Sequence, residues 1–134
     1  MKIWNGYGTE HSMNLVMIGQ FKDAATAETA LDTIKAATSA VQAELDAGRL
    51  VMGEPQDLFT DEMLKTVGDL RMHSVGAREL EQFLYDVTLE RRGEQLILAT
   101  DEVEVQVFVK ILLAHGARIE IYSAHDHPAG TGQE

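Results

Sequence analysis

The chain contains no cysteine. That rules out a disulfide framework and any thiolate metal site. No apolar run approaches the roughly 20 residues that a membrane helix needs. The N-terminus shows no basic region followed by an apolar stretch and a small-residue cleavage site, so no signal peptide is expected and a cytoplasmic location is. Basic residues are also scarce: 11 Lys and Arg stand against 22 Asp and Glu, a net charge of −11. Such a chain repels nucleic acid phosphates and anionic lipid, so neither nucleic acid nor membrane is expected as a partner. It is steered instead toward basic proteins, although the same acidity also keeps a small protein soluble. Reaction signatures are missing too. There is no G-x-S-x-G, no H-E-x-x-H, no Walker loop and no GxGxxG fingerprint. No reaction class and no cofactor is indicated.

What is present suits a folded protein. A chain of 134 residues, 45% hydrophobic and 25% charged, can bury a real core. We read residues 1–134 as one α+β domain, with an insert at about 49–85 and a flexible tail at about 126–134. Residues 2–7 can form a short strand broken at Gly6 and Gly8. From Met13 to Phe21 the chain alternates. Met13, Leu15, Met17 and Phe21 fall on one face and Val16 and Ile18 on the other, which predicts a central strand covered in part on both sides. Asp23 is a helix N-cap. Leu31, Ile34, Val41 and Leu45 form one stripe of the helix that follows, and Gly48 can end it.

Leu50 to Met52 could form a short strand. Thr60 can cap a helix holding Met63, Leu64, Val67 and Leu70. Ser74 or Gly76 can begin another, with Leu80, Phe83 and Leu84 inward. This insert could pack on the main body or form a lid. Val87 and Leu89 then alternate with Thr88 and Glu90. Arg92-Gly93 marks a hairpin turn, and Leu96 to Leu98 make the returning strand. Asp101 and Glu104 have capping-box spacing before a helix carrying Val107, Phe108, Ile111, Leu112 and His115, with Gly116 at its end. Ile119 and Ile121 give a last strand.

Leaving out the insert and the N-terminal strand extension, the order is βαββαβ, the pattern of a ferredoxin-like sandwich. It predicts an antiparallel sheet with two helices on one face. Val16, Ile18, Thr88, Glu90, Arg118, Glu120 and Tyr122 would share the other face. That face could pair with a second copy in a homodimer, or be covered by residues 1–8 or 49–85.

Two clusters could carry chemistry. Trp4, Tyr7, Glu10, His11 and Ser12 crowd a Gly-rich turn before the central strand. A carboxylate beside an imidazole there could move protons, and the backbone N–H groups could hold an anion. The same residues could equally be turn and packing residues. His125 and His127 could both reach a metal ion if His11 supplied a third ligand, although histidines near a terminus also bind metal adventitiously. His73 and His115 read as structural, the latter near a helix end that suits a cation.

The stretch Lys2-Ile3-Trp4, Gly6-Tyr7-Gly8 and Glu10 to Gly19 (EHSMNLVMIG) resembles the signature of a family of small bacterial proteins with no known function. Asn5 and Thr9 depart from it, standing where that family has histidine and serine. The resemblance covers roughly the first 22 residues. It implies a bacterial origin and a site within residues 4–12, and it carries no activity. If the fifth position does chemistry in relatives, Asn5 puts that role in doubt here.

Two functional expectations lead, ahead of a third in which a dimeric structural domain has its open sheet face as its whole interaction surface. The first is a small acidic binding or inhibitory module that engages a basic protein partner, as immunity proteins do. The alternative is a small-molecule or metal-dependent binder or enzyme, with its pocket at the N-terminal Gly-rich turn.

Overall fold

The computed structural model describes residues 15–54, 56–102 and 104–123, and every structural statement below concerns these residues. Strand β1 is Leu15–Gln20, buried on both sides at mid-length. Asp23 caps helix α1, Ala24–Asp46: the Thr26 N–H donates to Asp23 Oδ1 at 2.8 Å and the Thr26 hydroxyl donates at 2.7 Å. Leu31, Ile34 and Val41 on the expected stripe are buried. Gly48 follows the helix with φ +78, a left-handed conformation that a Cβ would oppose.

Leu50 to Met52 is a turn and not a strand. Past Gly48 the chain curls back, and the Arg49 and Leu50 N–H groups donate to Glu44 O. That buries Leu50 and leaves Val51 and Met52 half exposed, with no neighbouring strand to pair with. Thr60 caps α2, Asp61–Asp69, as its position predicts. Met63 and Val67 are buried and Leu64 faces outward. Gly76 precedes a 3-10 helix, Ala77–Leu84, and its N–H donates to Glu79 Oε1 at 2.9 Å.

Strands β2, Val87–Arg92, and β3, Gln95–Thr100, form a hairpin. Arg92 pairs with Gln95, so the turn is Gly93-Glu94, one residue later than expected. Gly93 takes φ +59 and Glu94 does not take a positive φ, which is the pattern of a type II′ turn with glycine first. Helix α3 is Gln106–Ala114 and β4 is Arg118–Ser123. The expected cap pair does not open α3. The N-cap is Val105, without a side-chain cap bond. Instead the buried Gln82 Oε1, from the 3-10 helix, accepts the Val107 N–H at 3.1 Å. Glu104 turns away to Tyr85.

The fold is α+β: an open four-stranded sheet in the order β2-β3-β1-β4, with every neighbouring pair antiparallel. The main apolar cluster joins Met17, Leu96 and Leu98 of the sheet to Ile34 and Val41 of α1 and to Phe108 and Leu112 of α3. Met63, Leu80 and Phe83 belong to the same cluster. The insert is therefore part of the helical layer, where the 3-10 helix contacts α1 and α3. It is neither a lid nor a cover for the second sheet face. Phe83 and Phe108 meet edge to face at 5.8 Å, a favoured aromatic geometry.

The registers place Val16, Ile18, Thr88, Glu90, Ile97, Ala99, Arg118, Glu120 and Tyr122 together on the second face. Val16 and Ile97 are buried there, with Ile18 and Tyr122 packed against them. No helix among the described residues is long and apolar enough to cross a membrane.

Candidate functional site

The N-terminal candidates Trp4, Tyr7, Glu10, His11 and Ser12 lie outside the described residues, as do His125 and His127. His73 is exposed in the turn between α2 and the 3-10 helix. His115 ends α3, with Nδ1 2.9 Å from Ile111 O, a structural position.

A different set of side chains converges at one end of the sheet. Tyr85 terminates the 3-10 helix in an extended conformation that feeds β2. Its hydroxyl lies 3.0 Å from Glu81 Oε2 and 3.1 Å from Glu104 Oε1. Glu81 Oε1 accepts the Gly53 N–H at 2.9 Å. A phenol has one proton, so it can donate to only one of the two carboxylates at a time. Burial, and then Glu81 and Glu104, push Tyr85 well above the ordinary tyrosine value. The phenol therefore stays neutral and serves as a donor, not as a base.

The loop from β3 to α3 closes the same end. Thr100 is buried; its hydroxyl donates to Asp86 O at 2.8 Å and accepts the Glu102 N–H at 3.1 Å. This bond ties the start of β2 to the end of β3 and gathers their acids. The Glu102 carboxyl is pushed above its ordinary value by burial first, and then by Asp101, Asp86 and Glu104. An open cavity of about 270 Å³ lies among Gly53, Glu54, Arg78, Glu81, Tyr85 and Glu104. Arg78 is the cation at its rim, and Asp57 holds its guanidinium at 2.6 Å. The cleft is therefore an acidic surface with a neutral hydroxyl at its base. Ammonium or guanidinium groups match it. Among the described residues, no group of three or more His, Asp or Glu has the geometry of a metal site.

Glu44 is the buried acid, at 2% exposure. Arg49 donates to Glu44 Oε2 from Nε at 2.9 Å and from Nη2 at 2.7 Å, and the Thr60 hydroxyl donates to Oε1 at 2.6 Å. Both oxygens are satisfied within the chain, so Glu44 pins the end of α1 to the cap of α2.

In the sequence Glu44 belongs to no motif, Glu104 reads only as half of a capping box with Asp101, and Tyr85 has no assigned role. One local sign existed for each partner on a helix: Glu44 lies three residues from Val41 on the apolar stripe, and Glu81 and Tyr85 are four apart. Nothing local links Glu104 to either Glu81 or Tyr85.

The whole chain, residues 1–134, matches the model of a family of unknown function (DUF6375). The chain belongs to that family. No curated protein and no solved structure matches this DUF6375 chain.

Proposed function

We propose that this DUF6375 protein is a small acidic binding or inhibitory module whose Tyr85 cleft engages a basic protein partner. The observation that carries this reading is the pair Glu81 and Glu104 on the Tyr85 hydroxyl, with Asp86, Asp101 and Glu104 close enough to Glu102 to raise its carboxyl. Like charges held together on a surface create a local field that a cationic side chain relieves. The reading also takes the fold as ferredoxin-like. The order β2-β3-β1-β4, with β3 lying between β1 and the parallel β2, supports it.

The test is calorimetric titration of a lysine- and arginine-rich peptide into the wild type and two charge-matched variants. One variant carries Glu81→Gln and Glu104→Gln. The other carries Asp32→Asn and Asp69→Asn, far from the cleft in sequence. We expect the cleft variant to bind about tenfold more weakly, the control to bind like wild type, and affinity to fall as salt rises. Equal losses in both variants would mean that only net charge matters, and the assignment of the cleft would fall.

A further inference from the structure

Next to the acidic cleft, and sharing Tyr85 with it, runs an open groove of about 520 Å³ between α1 and strand β2. Its floor is the buried apolar trio Ile34, Phe83 and Phe108, and Thr38 and Gln42 of α1 form one rim. Val87 and Leu89, both half-buried, form the other.

Strand β2 is at the edge of the sheet. A two-residue hairpin makes its closing pair, Arg92 with Gln95, a hydrogen-bonded pair. Pair types then alternate along the ladder, so the N–H and C=O groups of Val87, Leu89 and Arg91 point away from β3. Among the described residues no strand pairs with them. The side chains of Val87 and Leu89 lie on the helix side, over the groove. An added strand would therefore place every second side chain in the groove. Glu90, Arg91 and Arg92 charge the hairpin half of β2 and discourage pairing there. The open half is the one leading to Tyr85, where Glu81 and Glu104 sit.

We propose that an extended segment of a partner protein adds to the edge of β2, with apolar side chains in the α1–β2 groove and a lysine or arginine in the Tyr85 cleft. The choice of a basic end rests on the acidic-module reading above; the groove and the strand edge do not.

The experiment is fluorescence anisotropy with the full chain and a labelled peptide of about eight residues, in which valine alternates with threonine and each end carries lysine. Three changes separate the contributions. Thr38→Trp fills the groove from the α1 rim, where the threonine hydroxyl bonds only to Ile34 O. Backbone N-methylation of the peptide at alternate residues, in both registers, removes strand pairing but keeps the side chains. Replacing the terminal lysines by glutamate reverses the charge. Circular dichroism checks that the variant is folded.

We expect Thr38→Trp, N-methylation in one register and glutamate ends each to weaken binding by about tenfold or more. Absence of peptide binding to the wild type overturns the proposal. So does binding that falls with Glu81→Gln and Glu104→Gln but ignores Thr38→Trp and N-methylation; that result leaves the acidic module standing. Binding that is lost with Thr38→Trp yet is equal for lysine and glutamate ends sustains the groove and overturns the basic partner. A dimer seen by light scattering and abolished by Thr38→Trp would assign the groove to a second copy and overturn the proposal.

Discussion

Glu44 shows how one side chain sets a pH dependence. The hydrogen bonds from Arg49 hold its carboxyl below the ordinary value, burial opposes them, and the Thr60 hydroxyl adds to them. A carboxylate depressed in the folded state contributes stability that is fully present above the unfolded value, about 4.5, and is lost as pH falls through the folded value. Glu102 has the opposite sign. Its raised carboxyl makes the charged form costly at neutral pH, and that cost fades as pH falls toward the ordinary value. In Glu44→Gln the acid limb of the stability curve should flatten below about pH 4.5. Thermal melts between pH 3 and 7 give the comparison, and an unchanged limb would show that Glu44 titrates alike in both states.

Helix α3 shows that an element can borrow its start from another. Its N-cap residue, Val105, has no side chain able to accept a bond, and Gln82 supplies the oxygen. Gln82 is buried, so its loss cannot be made good by water. Gln82→Leu keeps the bulk and leaves the Val107 N–H without its acceptor. It should cost about 1–3 kcal/mol by urea unfolding at unchanged slope, together with faster hydrogen exchange at Val107. Lys110 makes a second link between the same elements by donating to Glu79 Oε1 at 2.7 Å, and it also donates to Ser74 O, in the turn before the 3-10 helix, at 2.8 Å. The 3-10 helix thus fixes both the entry and one flank of α3.

For the molecule as a whole, acids outnumber bases 22 to 11. Among the described residues the ion pairs Lys65–Asp69 and Arg78–Asp57 are exposed on both sides, and exposed pairs contribute little. Screening should therefore relieve more repulsion than attraction. The melting temperature is expected to rise as NaCl increases from about 0.01 to 0.2 M, with a smaller rise for Glu81→Gln/Glu104→Gln. A fall instead would show that the ion pairs outweigh the net charge.

Helix α1 between Asp23 and Gly48, the two faces of β1, the hairpin near Gly93 and the body of α3 were all legible in the residues themselves. Each depends on periodicity, on a cap or on a turn residue, and these act over a few positions along the chain. The candidate cleft was not legible. Leu50 to Met52 is apolar enough for a short strand, but among the described residues no neighbour offers it a ladder. The spacing of Asp101 and Glu104 suits a cap, but Gln82 takes that work and Tyr85 draws Glu104 away. These outcomes are contacts between segments far apart in sequence. Their energy depends on which surfaces packing brings together, so a single chain read in order encodes the pieces, and the packed helical layer selects the partners of Glu81, Tyr85 and Glu104.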